Sequence, residues 1–287
     1  MPDTSGPGVA ERIDAHLHLW ELGEGRYSWL GPQHGGLYRS HTATEAGEVL
    51  ASAGIGRAVL VQAEDTAADT EFMLAQADAN PWIAGVVGWI PLEEPAAAER
   101  QLDTWLENDK FRGVRTLIHD DPRTDLLEYP QVRRTLSMVA DRGLPFDVPD
   151  AFPRHLGQVA ALAADLPELT LVVDHLGKPP FAGGTENFDL WAEQLRAVAA
   201  LPITVAKVSG LFTAGAPYTA RALAPAWELA LDCFGPERLM FGGDWPVSNL
   251  GAPYSETVGV LAGLIDSLSP TEAAAVWAGT ARRVYRL

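Results

Sequence analysis

At 287 residues and 47% hydrophobic content, the chain can bury a large core, enough for one α/β barrel or two modest domains. A formal charge of −17 repels phosphate backbones and anionic lipid surfaces, which argues against nucleic-acid and membrane partners and leaves a small molecule as the expected ligand. Cys233 is the single cysteine, so an intrachain disulfide is excluded, and its apolar surroundings in sequence suggest a buried structural thiol.

Residues 1–11 are polar and rich in Pro and Gly, with no basic segment leading into an apolar one. They read as a loose tail and not as a signal peptide, which makes the cytoplasm the expected location. No later apolar run approaches the roughly 20 residues that a membrane-spanning helix needs. Beyond the tail, short β-branched or apolar runs alternate with Ala- and Leu-rich stretches of helical period. Strands are predicted over 12–15, 58–62, 83–90, 113–118, 144–148, 169–174, 204–208 and 239–242. Helical periodicity covers 44–53, 70–80, 95–108, 130–142, 154–166, 187–200 and 220–234, with a closing helix over 270–284. Strands joined by helices imply parallel pairing, and eight such units over this length fit a closed, single-domain (β/α)8 TIM barrel spanning 12–287. A doubly wound open sheet would carry a glycine-rich turn after its first strand, and His16-Leu17-His18 occupies that place. The polar segment 21–41 follows, where a barrel places an active-site loop. Its Tyr27, Trp29 and Tyr38 can line a pocket or fasten the loop to the rim, and fastening is expected of at least two.

His16 and His18 stand two apart at a strand end, so alternation turns both to one side. His175 ends the run Leu-Thr-Leu-Val-Val-Asp-His, and Asp244 ends Leu-Met-Phe-Gly-Gly-Asp. Four polar groups thus fall at the C-terminal ends of the first, sixth and eighth strands, the face on which barrel active sites are built. Because the eighth strand adjoins the first, Asp244 is expected beside the histidine pair, placed to take a proton from water.

The stretches Ile13-Asp14-Ala15-His16-Leu17-His18-Leu19-Trp20, Phe111-Arg112-Gly113-Val114-Arg115, Val173-Asp174-His175-Leu176-Gly177-Lys178-Pro179, Lys207-Val208-Ser209-Gly210-Leu211 and Arg238-Leu239-Met240-Phe241-Gly242-Gly243-Asp244-Trp245-Pro246 carry a resemblance. Together they resemble the amidohydrolase superfamily, in its amidohydrolase-2 branch and the sugar-lactonase-like group. The resemblance spans nearly the whole chain and implies hydrolytic attack on a cyclic ester, with Asp244 as general base and the histidines organising water and carbonyl. Full binuclear sites of that superfamily use a lysine from the fourth strand and a histidine from the fifth. Here those strands offer Arg115 and Asp147, so a binuclear centre is not expected. One divalent ion, Zn2+ before others, held by His16, His18 and Asp244 with or without His175, and metal-free catalysis both stay open.

Arg115 is the expected ligand of a substrate carboxylate or oxyanion, with a salt bridge to Asp147 as its structural alternative. Lys178 and Lys207 can add positive potential at the mouth, or Lys207 can simply pair with a neighbouring acid. Trp20, Trp89 and Trp245 are candidate contacts to a substrate ring. Alternation turns Asp174 away from His175, as an anchor; His119 is expected to face solvent, and His34 and His41 are the loop histidines within reach of substrate. The reaction alternatives are a metal-dependent decarboxylase of an aromatic or related acid, and a barrel recruited to bind or transform a biosynthetic intermediate. The segment 147–152 departs from the pattern expected of sugar-lactone relatives. The sequence carries no reading of the oligomeric state.

Overall fold

The computed structural model describes residues 11–23, 26–119 and 121–287, so the expected tail falls almost wholly outside the described residues. Strands β1 (Ile13–Leu17), β2 (Arg57–Val61), β3 (Ile83–Gly88), β4 (Phe111–Arg115), β5 (Phe146–Val148), β6 (Leu171–Val173), β7 (Thr204–Val208) and β8 (Leu239–Phe241) form one sheet in sequence order. Every neighbouring pair is parallel. The ring closes just past β8, where Leu17 bridges Trp245, His18 N donates to Trp245 O at 2.7 Å and Asp244 N donates to His16 O at 2.8 Å. This is the (β/α)8 TIM barrel.

Alternation sorts the core into two layers. Val59 and Val61 of β2 join Ile13, Val87, Val172, Val205 and Met240 inside the barrel, while Ala58 and Leu60 face the helices. Each fully buried aliphatic side chain contributes about 1.5–3 kcal/mol. Helices α1 (Ala43–Ser52), α2 (Ala67–Ala79), α3 (Pro95–Trp105), α4 (Pro130–Asp141), α5 (Leu156–Asp165), α6 (Gly184–Ala199) and α7 (Ala220–Phe234) cover the outside. Thr42, Thr66 and Thr219 cap α1, α2 and α7 by accepting backbone N–H bonds, and Pro95 and Pro130 open α3 and α4, where a missing N–H costs nothing.

Two elements differ from the sequence expectation. Helix α8 (Tyr254–Ile265) was absent from it, because Gly259 and Gly263 dilute a pattern whose periodic residues Tyr254, Val258, Leu261, Leu264 and Ile265 are all buried. The closing helix is broken into α9 (Pro270–Ala274), a π-turn over Ala275–Gly279 and α10 (Thr280–Tyr285), whose Tyr285 joins the interior layer. Cys233 on α7 is half-buried rather than fully buried. Among the described residues, no helix is long and apolar enough to cross a membrane.

Candidate active site

His16 lies on β1 and His18 one residue past its end, and their Nε2 atoms converge to 3.1 Å. His18 Nδ1 sits 2.8 Å from Val61 O. A carbonyl only accepts, so Nδ1 carries the proton and Nε2 presents its lone pair. Asp244 Oδ1 approaches from the β8 end, 3.4 Å from His18 Nε2 and 3.8 Å from His16 Nε2. Its backbone is left-handed (φ 54°), a conformation that costs a non-glycine residue about 1–3 kcal/mol and is held here by the closure bonds. Asp14 clamps that closure: its Oδ1 accepts from His16 N at 2.9 Å and Gly243 N at 2.8 Å, and its Oδ2 from Tyr254 Oη at 2.7 Å. Burial raises the Asp14 carboxyl to about 6, although all three hydrogen bonds pull it down.

Alternation predicts opposite directions for Asp174 and His175. The chain instead turns left-handed at His175 (φ 56°) and Leu176 (φ 53°), and both side chains reach the cluster. Asp174 Oδ1 is 3.3 Å from His16 Nδ1 and 3.1 Å from Lys207 Nζ, and its Oδ2 accepts from Arg115 Nε at 2.8 Å. Burial pushes this carboxyl up, but Lys207, His16 and Arg115 together hold it well below the ordinary range. The His175 ring lies 4.6 Å from that of His16, with Nδ1 2.8 Å from Ser209 Oγ. Gly210 (φ 54°) permits this approach, since a Cβ there would come within 2.7 Å of His175 Cγ. Burial drives both His16 and His175 well below the usual imidazole range, so both are neutral at pH 7.

Lys207 is completely buried beneath His16 and supplies no charge at the mouth. Its Nζ contacts Asp147 Oδ2 at 2.6 Å, Asp174 Oδ1 at 3.1 Å and His16 Nδ1 at 3.2 Å, and Tyr285 Oη donates to Asp147 Oδ2 at 2.8 Å. The alternative pairing of Arg115 with Asp147 is therefore overturned: Lys207 takes Asp147, and Arg115 turns to Asp174 and to Gln62 O at 3.2 Å.

Above this layer opens a cavity of about 380 Å³, whose wall includes His18, Arg115, His175, Lys178, Asp244 and Trp20. Trp89 and Trp245 do not line it. The Trp89 backbone is held against the helices by Thr70 Oγ1 and Trp105 Nε1, and Trp245 is buried edge-on to His41 at 5.1 Å. His41 lies between Trp20 and Trp245 and does not line the cavity, whereas His34 does. Tyr27 Oη donates to Asp69 Oδ1 and Trp29 Nε1 to Ala63 O, both at 2.8 Å, which fastens the loop; Trp29 also lines the cavity and Tyr38 is 46% exposed. His119, expected in solvent, lines the cavity as well. Gln62, Ala63, Leu117 and Val247 also line it without having been singled out in the sequence, and Asp150 brings in the segment 147–152. Each follows a strand end on the active face, and that position was the available signal.

His16, His18 and Asp244 each bring one ligand atom close enough to share a metal ion, and His16, Asp174 and His175 form a second such group. The donors fit: imidazole and carboxylate suit zinc, and the Val61 bond to His18 Nδ1 leaves Nε2 free to ligate.

The family model described as amidohydrolase (Amidohydro_2) matches residues 13–287, the whole barrel. The chain belongs to the amidohydrolase family. This amidohydrolase is 35% identical to an L-fucono-1,5-lactonase of Burkholderia multivorans over 97% of both chains, and 32% identical to one of Burkholderia ambifaria over 96% of both. A crystal structure of an amidohydrolase from Burkholderia multivorans with bound Zn superposes with a TM-score of 0.89 at 35% identity, covering 97% of this chain and all of that one. A 2-pyrone-4,6-dicarboxylate hydrolase of Comamonas testosteroni is 26% identical over 91% of this amidohydrolase and 85% of its own length.

Proposed function

We propose that this amidohydrolase opens a small lactone by hydrolysis, and that sugar lactones of the L-fucono-1,5-lactone type are the first substrates to test. The reading is carried by the convergence of His16 Nε2, His18 Nε2 and Asp244 Oδ1 at the floor of a cavity of about 380 Å³, a size that suits a single small ring. Water held at the histidine nitrogens gives a proton to Asp244 and attacks the ring carbonyl carbon. The tetrahedral oxyanion accepts hydrogen bonds from His175 and from the part of the Arg115 guanidinium not committed to Asp174 and Gln62. The carbonyl re-forms, the ring C–O bond breaks, and the leaving oxygen takes the proton from Asp244 to give a hydroxy acid. A divalent cation held by His16, His18 and Asp244, zinc before others, supplies Lewis-acid polarisation and a more acidic water when bound. Decarboxylation finds less support: structures named as decarboxylases share only the fold, at 14–16% identity. The free thiol of Cys233 and the acidic composition suit the reducing cytoplasm, where we place the protein.

The test is a panel of sugar lactones, aromatic lactones and hydroxybenzoate-like acids, assayed with and without chelator. We expect lactone opening, and a fall in kcat of about 10²–10⁴-fold in Asp244→Asn. Full turnover by Asp244→Asn overturns the mechanism, and carbon dioxide release from an aromatic acid overturns the reaction class.

A further inference from the structure

Three non-glycine residues in left-handed conformations meet at one side of the cavity: Asp150 (φ 37°), His175 (φ 56°) and Lys178 (φ 65°). Such strain persists where surrounding structure holds it, and it collects at functional sites. The loops that carry these residues are joined by Phe152 N donating to Gly177 O at 2.9 Å. Asp150 Oδ2 is 3.3 Å from Lys178 Nζ, and its Oδ1 is 3.9 Å from His175 Nε2. Asp150 keeps 30% of its side chain exposed and Lys178 keeps 23%, so the pair faces the open part of the cavity.

This placement decides the charge that a ligand meets. Among the described residues, the cavity wall carries two permanent cations, Arg115 and Lys178, and two carboxylates, Asp150 and Asp244. Each cation already has an anion, Arg115 in Asp174 at 2.8 Å and Lys178 in Asp150 at 3.3 Å. On this side of the cavity a substrate carboxylate would find Lys178 already paired and would meet the Asp150 carboxylate 3.9 Å from His175 Nε2. A neutral ring bearing hydroxyl groups meets the reverse: a carboxylate that accepts an O–H and an ammonium that donates to the neighbouring oxygen.

We propose that Asp150, with Lys178, is the selectivity residue of this cavity, binding a hydroxyl of a neutral polyhydroxylated lactone and repelling lactones that carry carboxylates. Repulsion of the wrong ligand is as much a part of specificity as attraction of the right one. The proposal rests on the lactonase reading and adds the charge class of the substrate. It also gives a function to the segment 147–152, which the sequence marked as unusual.

The experiment compares kcat/KM for L-fucono-1,5-lactone and for 2-pyrone-4,6-dicarboxylate in the wild type, Asp150→Asn and Lys178→Met, with thermal unfolding as the check on folding. The wild type should prefer the neutral lactone. Asp150→Asn should lose about 10–100-fold on it, the worth of a charge-assisted hydrogen bond, while gaining on the dicarboxylate. Lys178→Met, which leaves Asp150 without its cation, should lose on both substrates. A ratio of the two kcat/KM values that stays within threefold in Asp150→Asn overturns the proposal and leaves the lactonase reading intact. A wild-type preference for the dicarboxylate does the same. Failure of the wild type to open either lactone overturns both.

Discussion

Lys207 decides the charge balance of the barrel interior. Its ammonium lies 2.6 Å from Asp147 and 3.1 Å from Asp174, and all three groups are cut off from water. Breaking a buried ion pair by removing one partner costs about 3–5 kcal/mol, because the other charge is left without compensation. Lys207→Met is therefore expected to lose about that much in urea unfolding, and Lys207→Met/Asp147→Asn to regain part of it, since Asp174 keeps Arg115. A loss within about 0.5 kcal/mol, the range of ordinary surface substitutions, would contradict this account. The inward direction of Lys207 was legible, because period-two alternation puts it on the same face as Val205, which joins the interior layer. Its partners were not. Asp147 comes from β5 and Asp174 from the residue after β6, two past the inward Val172, and which strands meet across the barrel is a tertiary fact; the left-handed step at His175, which alternation does not contain, is what brings His175 to the same side.

At the scale of elements, strands were legible because each is a short apolar run between turn signals, and most were bounded to within a few residues. The loop over the cavity was legible as a loop, yet what holds it is a tertiary fact. Trp20 and His41 pair as an isolated antiparallel bridge, His41 N donating to Trp20 O at 2.8 Å, and the His41 ring lies between Trp20 and Trp245. Burial, aided by Arg39 and opposed by Glu45 3.9 Å away, lowers the His41 imidazole to about 4. In the unfolded chain the same ring takes its proton near 6.5. Between those values the unfolded state binds more protons than the folded one, so this contribution is fully present above about pH 6.5 and is lost as the pH falls towards about 4. The Tm should thus drop more steeply between pH 7 and pH 4.5 in the wild type than in His41→Phe, which keeps an aromatic ring in the same place. Parallel Tm profiles for the two proteins would show that His41 does not carry the effect.

For the whole molecule, closure of the ring and assembly of the site are one event. The residues that join the β8 end to β1 are those that deliver Asp244 to the histidines: Asp244 N donates to His16 O, and Asp14 holds both His16 N and Gly243 N. The glycine before Asp244 leaves no room for a side chain, since a Cβ on Gly243 would lie 2.6 Å from Asp14 Oδ2 and would also overlap the Tyr254 ring. Tyr254 cannot yield freely, because it is buried and its hydroxyl satisfies Asp14. Gly243→Ala must then push Asp14 and Tyr254 apart, at the cost of about 1–3 kcal/mol that overpacking a tight interior carries. The displaced residue is the immediate neighbour of the proposed base, so kcat should fall by more than the loss of folded protein explains, measured at a temperature where unfolding curves show the variant to be native. If Gly243→Ala unfolds earlier but keeps wild-type kcat below its transition, closure and site geometry are separable, and the barrel tolerates a shift at this seam without moving Asp244.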